Sequence, residues 1–318
     1  MKLRFEHSKF VIFFLASRPK FLTASAAPVL VGSAAAYALT QPFSLPLFIL
    51  ALLAIMLLHS GANIANDYFD HTSKNDWLNE NPTPFSGGRR FIQNGILSPK
   101  QTLAAALVAL AAGSAVGLVI IAITKSIFIL ILGLVGLVGG YFYTAAPVRL
   151  GYRCIGELVI GLLFGLLPVY GSYYLQTQVI DFVPLMPACI VSILIFLVIL
   201  INEFPDAAAD AAVNKKTLVV RFGIPAAAGI YRMALIASYV IAAAMLILHH
   251  NSGMFFAGLF YLFTLPIAAA AFRFANKEDL AVPGQYRANQ VTVLLHALGS
   301  LCLTAGFIFA VLRARLWG

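Results

Sequence analysis

Seven long stretches of this 318-residue chain contain no Asp, Glu, Lys or Arg: residues 21 to 66, 101 to 124, 126 to 148, 158 to 180, 182 to 202, 233 to 272 and 288 to 312. A helix needs roughly 20 apolar residues to cross a bilayer, and these runs meet or exceed that length. Inside a bilayer each backbone N–H and C=O must find its partner within the protein, which predicts helices for all of them. The first and sixth stretches are long enough for two helices each, turning at Thr40-Gln-Pro-Phe-Ser and at His249-His-Asn-Ser-Gly, so nine spans are expected. The expected fold is all-α, a polytopic membrane protein with nine transmembrane helices in one bundle. Composition agrees, at 61% hydrophobic and 10% charged residues.

The basic residues test the topology. Of the 21 Lys and Arg, 18 fall in the N-terminus and in the segments 67 to 100, 149 to 153, 215 to 232 and 273 to 287. Only Lys125, Arg313 and Arg315 remain for the other side. By the positive-inside bias, the N-terminus is cytoplasmic and the C-terminus outside, in a cell (inner) membrane. The net charge of +9 is thereby spread over short loops facing anionic lipid or substrate, which argues against nucleic acid as a partner. Met1 to Lys20 mixes basic and aromatic residues without a small-residue cleavage site and reads as an interfacial lead-in helix. Cys154, Cys189 and Cys302 are scattered, with neither CxxC nor zinc spacing, and read as packing residues.

Two of the apolar runs end in related polar clusters. The first is Asn63-Ile-Ala-Asn66-Asp67-Tyr-Phe-Asp70 followed by Asp76; the second is Asn202-Glu-Phe-Pro-Asp206-Ala-Ala-Ala-Asp210 followed by Lys215 and Lys216. Residues three or four apart share a helix face, so each cluster forms one polar stripe. Carboxylates gathered at the mouth of a membrane helix repel one another and resist desolvation, so they require cations or water. Hard oxygen ligands suit Mg2+, which characteristically bridges a few carboxylates to substrate phosphates, and a diphosphate substrate follows. The alternative is that the acids only mark helix ends. The duplication tells against it: the clusters end spans 2 and 6, four helices apart, as expected of two four-helix repeats plus one added helix. The chain is read as a single domain, 1 to 318, with repeat one about 10 to 148, repeat two about 149 to 275 and the extra helix about 288 to 313.

Two loops offer further cations. Pro82-Thr-Pro-Phe-Ser-Gly-Gly-Arg89-Arg90 joins two glycines, which let backbone N–H groups approach an anion, to two guanidinium groups able to grip phosphate in a fork. Positive-inside topology would also account for it. The segment from Tyr141 through Tyr143 to Arg149 and Arg153 ends span 4 beside Glu157. Pro205 lacks an N–H and disturbs the carbonyl of Ile201, so span 6 is expected to kink at its mouth. His59 and His296 receive no role, and Tyr170, Tyr173 and Tyr174 read as an interfacial aromatic belt.

Asn66-Asp67-x-x-Asp70 with Asp76, and Asn202-x3-Asp206-x3-Asp210 followed by Lys-Lys-Thr-Leu-Val-Val-Arg-Phe-Gly, resemble the UbiA superfamily of intramembrane prenyltransferases over most of the chain. Arg18-Pro19, Tyr143-Thr-x-x-Pro147, Gly156-Glu157 and Gly171-Ser-Tyr-Tyr-Leu-Gln-Thr look most like its menaquinone branch, as does Asp76 at its late spacing. Pro205 and Asn214 depart from that branch, which often carries Arg and Gly there. The resemblance implies nine helices around a cavity capped by cytoplasmic loops, with Mg2+ held on a polyprenyl diphosphate by Asp67, Asp70, Asp206 and Asp210. Asn63 and Asn202 would help through their amides, and Asn66, Asp76, Arg89, Arg90, Tyr143, Arg149, Arg153, Lys215 and Lys216 would serve the substrates. An aromatic acceptor, 1,4-dihydroxy-2-naphthoate by the branch, would take the prenyl group and lose its carboxylate. The rival is a cation-coupled carrier, which also combines repeats with intramembrane acids. Carrier acids lie near the midplane, whereas these lie at span ends beside basic loops.

Overall fold

The structure, a computed structural model, describes residues 9–39 and 43–317. In chain order its helices are α1 (Lys9–Ala16), α2 (Thr23–Tyr37), α3 (Leu45–Thr72), α4 (Asn75–Leu78), α5 (Pro99–Thr124), α6 (Ile127–Phe142), α7 (Gly156–Gly161), α8 (Leu167–Thr177), α9 (Leu185–Ala212), α10 (Leu218–Leu248), α11 (Gly253–Tyr261), α12 (Leu265–Phe274), α13 (Lys277–Leu280) and α14 (Arg287–Trp317). A π-helical turn, Leu162–Leu166, joins α7 to α8, and a 3-10 turn, Leu262–Thr264, joins α11 to α12. Among the described residues there is no β-strand, only two isolated bridges.

Seven segments are long and apolar enough to cross a bilayer: α3, α5, α7 with α8, α9, α10, α11 with α12, and α14. The other two expected spans are shorter helices, α2 of 15 residues and α6 of 16. Left-handed Lys125 and the Ser126 cap start α6 late, and the turns after Phe142 end it early. The turn expected at Thr40-Gln-Pro falls largely outside the described residues; the one at His249 separates α10 from α11 as expected. Within the lead-in segment, residues 1 to 8 also fall outside them, and α1 occupies the rest up to Ala16.

Helix α9 forms the centre, with Ile190, Leu197, Leu200 and Ile201 fully buried among the residues of α2, α10, α11 and α14. Helices α3 and α5 meet through reciprocal close approaches, Leu110 lying over Gly61 and Leu58 over Gly113. Such small-residue contacts are what dispersion-driven packing in lipid requires. The outer faces of α5, α6 and α10 stay apolar and exposed at Val108, Leu118, Ile127, Met233 and Ile247. Exposed apolar surface on that scale fits lipid as its solvent. Helix α9 runs unbroken through Pro205 to Ala212, so the proline does not end it.

Candidate active site

Helices α3 and α9, both 28 residues long, bring their polar ends together through the short segment after α3. Lys74 adopts a left-handed conformation, φ 66°, which turns the chain into α4. That turn lays Asn75 and Asn79 across the second cluster. Asn75 Nδ2 donates to Asp210 Oδ1 at 2.8 Å, and Asn79 Nδ2 donates to Asp206 Oδ1 at 2.7 Å. The Gly87 N–H donates to Asp206 Oδ2 at 3.2 Å, so the glycine loop meets a carboxylate here. Its neighbour Phe85 reaches over the cavity to Phe21 and Tyr286, with ring centroids 6.4 and 6.1 Å away.

Two cations each pair with one of the acids. Arg18 Nη2 pairs with Asp67 Oδ1 and also donates to Asn66 Oδ1 at 3.1 Å; Asn66 Nδ2 in turn donates to Asp70 Oδ2 at 2.9 Å. Lys215 Nζ lies 3.2 Å from Asp210 Oδ1. Burial alone would lower the pKa of both cations, but the surrounding acidic groups together, Asp67 foremost for Arg18 and Asp210 foremost for Lys215, hold both above their usual values. Burial, followed by the charges of Asp70 and Asp67, pushes the Asp76 carboxyl up to about 8. Gln93 Nε2 donates to its Oδ2 at 3.1 Å.

These groups surround a cavity of about 170 Å³ between the helix ends. Asn63, Asn66, Asp70, Asp76, Tyr143, Asn202, Asp206 and Lys215 line it, with Arg18, Asn75, Ser86, Gly87 and Gly88. Deeper in, its wall is apolar, from Ile160, Phe164, Ile195, Val198 and Ile199, with His59 accepting or donating one bond to Ser25 Oγ at 2.7 Å. Asp67 and Asp210 stand behind this surface, covered by Arg18 and by Asn75 with Lys215. Arg89 lines an adjoining recess with Arg18 and Lys20.

Four expected residues lie elsewhere. Arg90 turns away in a left-handed conformation and donates to Asn79 O at 3.0 Å. Arg149 stacks on Tyr152, Arg153 Nε donates to Val148 O at 2.6 Å, and Lys216 is exposed. Glu157, beside which the two arginines were expected, is buried and accepts from Leu218 N–H. Conversely, the sequence reading assigned no site role to Arg18, Asn75 or Asn79, nor to Glu203, which also lines the cavity. Asn75-Asp76-x-x-Asn79 does carry a signal, since Asn75 and Asn79 stand one helical turn apart directly after the first cluster.

The donor set suits a hard divalent cation. Asp70 Oδ1 and Asp210 Oδ2 are buried without any hydrogen-bond partner, a state that a metal ion relieves. Among the described residues no three acidic, His or Cys side chains converge on one point. Mg2+ takes one or two carboxylates and fills its remaining sites with water and substrate phosphate.

Residues 25–291 match the UbiA prenyltransferase family. The chain is 35% identical over 213 residues to 1,4-dihydroxy-2-naphthoate octaprenyltransferase of Haemophilus influenzae, covering 65% of this chain and 68% of that one. It is 25% identical over 304 residues to 2-carboxy-1,4-naphthoquinone phytyltransferase of Synechocystis, covering 93% and 92%. A UbiA homolog from Archaeoglobus fulgidus bound to GPP and Mg2+ has a similar fold, with a TM-score of 0.71 at 17% identity over 94% of this chain and 99% of that one.

Proposed function

This chain belongs to the UbiA prenyltransferase family, and from that premise we propose that it transfers a polyprenyl group from polyprenyl diphosphate to 1,4-dihydroxy-2-naphthoate, with Mg2+, in menaquinone biosynthesis. The observation that carries the reading is the division of the cavity. One end gathers acids from both clusters with two half-buried cations; the other is apolar. A prenyl diphosphate has that same division.

Asp70 and Asp206, backed by Asp67 and Asp210, would hold the metal, which when bound neutralises charge on the leaving diphosphate. Arg18 and Lys215, which line the cavity, would meet the remaining phosphate oxygens as the carbon–oxygen bond breaks, the step at which negative charge grows. Releasing either cation to substrate frees its carboxylate partner, so substrate entry and metal binding support one another. Phe164, Ile160 and Val198 exclude water from the allylic cation left behind. The acceptor ring carbon forms the new bond to that cation, and its carboxylate leaves as carbon dioxide, which restores the aromatic ring.

The segment from Thr83 to Gly88 acts as a lid, closed through Phe85 and tethered by Gly87 to Asp206. In the membrane the chain is one domain of nine spans in two four-helix repeats plus one, with α2 and α6 as short spans. The site and N-terminus face the cytoplasm and the C-terminus lies outside, in the inner membrane. The test is prenyl transfer by purified protein with an all-trans polyprenyl diphosphate and Mg2+, offering the naphthoate, 4-hydroxybenzoate and homogentisate in turn and following carbon dioxide. Fast transfer to the naphthoate is expected. An inert naphthoate beside an active single-ring acid would move the acceptor and leave only the diphosphate chemistry.

A further inference from the structure

Pro205 sits inside α9, where any other residue would donate its N–H to Ile201 O. Proline has no N–H, so this carbonyl, in a fully buried residue, loses its helical partner. Asn289, near the start of α14 and 1% exposed, replaces it. Its Nδ2 donates to Ile201 O at 2.9 Å and to Asn202 Oδ1 at 2.9 Å. The orientations of both amides follow without freedom. A backbone carbonyl can only accept, so the Asn289 atom facing it is the NH2. That NH2 demands an acceptor from Asn202, whose oxygen is thereby turned towards α14 and whose own NH2 is left for the cavity that Asn202 lines. The corresponding Asn63 is held the opposite way: its Nδ2 donates to Ser17 O at 3.0 Å, which leaves its oxygen for the cavity.

We infer that Asn289 is a positioning residue that fixes Asn202 as a hydrogen-bond donor to diphosphate oxygens, while Asn63 presents an oxygen to the same cavity. The two asparagines, alike in sequence, are opposite in polarity. A metal ion binds amide oxygen and not amide NH2, so Asn202 belongs to the anion and only Asn63 is free to help hold a cation. The identity of the anion rests on the prenyl diphosphate reading; the polarity does not.

The experiment compares Asn289→Leu, Pro205→Ala, the double variant and Asn202→Asp with the parent. It measures thermal midpoint, affinity for inorganic pyrophosphate with Mg2+ by calorimetry, and kcat/KM for the prenyl diphosphate. Asn289→Leu is expected to lower the midpoint and to weaken pyrophosphate binding and kcat/KM about tenfold or more, the scale of a lost donor to a charged group. Pro205→Ala alone stays close to the parent. In the double variant the alanine introduced by Pro205→Ala returns a backbone N–H to Ile201 O, so the midpoint recovers, yet pyrophosphate affinity stays low because nothing holds Asn202. Asn202→Asp, which exchanges the donor for an acceptor, shows the same loss even if Asn289→Leu fails to fold. Recovery of affinity together with the midpoint in the double variant would make Asn289 merely structural and overturn the inference, as would unchanged affinity in Asn202→Asp or a parent that binds no pyrophosphate. A parent that shows the whole binding pattern but transfers no prenyl group would refute the proposed function and leave this inference standing; active transfer without the pattern does the reverse.

Discussion

Gly88→Ala isolates what the glycine loop does for the acids, because Gly95 provides a matched control. Both residues are left-handed, with φ 68° at Gly88 and 69° at Gly95. An alanine at either therefore carries the same backbone cost of about 1–2 kcal/mol. Their surroundings differ. A Cβ at Gly95 would meet nothing within 4 Å, whereas at Gly88 it would lie 3.0 Å from Asp76 Oδ2 and 3.2 Å from Asp67 Oδ1. Carboxylates at that separation must retreat by a few tenths of an ångström, and Asp67 is already tied to Arg18. Since a misplacement of about 1 Å can cost roughly a hundredfold in rate, a few tenths at two acids is expected to cost about tenfold. Gly95→Ala should lose stability alone, with kcat within about twofold of the parent on the same scale. The assay is steady-state prenyl transfer at saturating Mg2+, with thermal midpoints measured alongside. A midpoint loss for Gly88→Ala at least as large as for Gly95→Ala, with a drop in kcat only for Gly88→Ala, is the expected result. Equal activities for the two variants would refute the idea that the loop's approach to Asp67 and Asp76 shapes the site.

Asp67→Asn and Asp206→Asn should each abolish turnover in protein that remains folded, and EDTA should do the same to the parent; full activity in both variants would return the acids to the role of helix-end markers. Lys215→Met should lower kcat/KM for the diphosphate by roughly 10- to 100-fold, the scale of a charged hydrogen bond, whereas Lys216→Met should leave it nearly unchanged, since only the first lines the cavity. In a variant without Cys154, Cys189 and Cys302, a cysteine at exposed Asn81 should react with an impermeant label only from the cytoplasmic side and one at Lys125 only from the other. Labelling of both from one side would refute the assigned topology.

The helices and the two clusters were legible because both are local patterns: a charge-free run has one stable fate in lipid, and acids four apart share a face wherever the helix goes. What answers those acids is not local. Arg18 reaches Asp67 across 49 positions, and Asn75 reaches Asp210 across 135. Nothing in the spacing of either pair announces the contact. Lys215 and Lys216 look equivalent in sequence, but left-handed Asn214 turns the chain so that the Lys215 N–H donates to Asp210 O at 2.8 Å, and its side chain follows inward. Lys216 then points outward, as alternation along an extended segment demands.

Pro205 shows how far local reasoning carries and where it stops. Its missing N–H identifies the carbonyl of Ile201 as the group in need, from sequence alone. A break in the helix is one way to meet that need, by opening the carbonyl to water. With Ile201 fully buried that route is closed, and the helix instead continues while Asn289 supplies the donor from another element. The need was written in the sequence and its answer in the packing. The same donor determines which end of Asn202 is left for the cavity, so a proline in the second cluster and an asparagine 84 positions later act as one device. Motif matching weighs Asn63 and Asn202 alike because it reads residue type, but an amide has two chemically opposite ends, and only its neighbours decide which one the cavity receives.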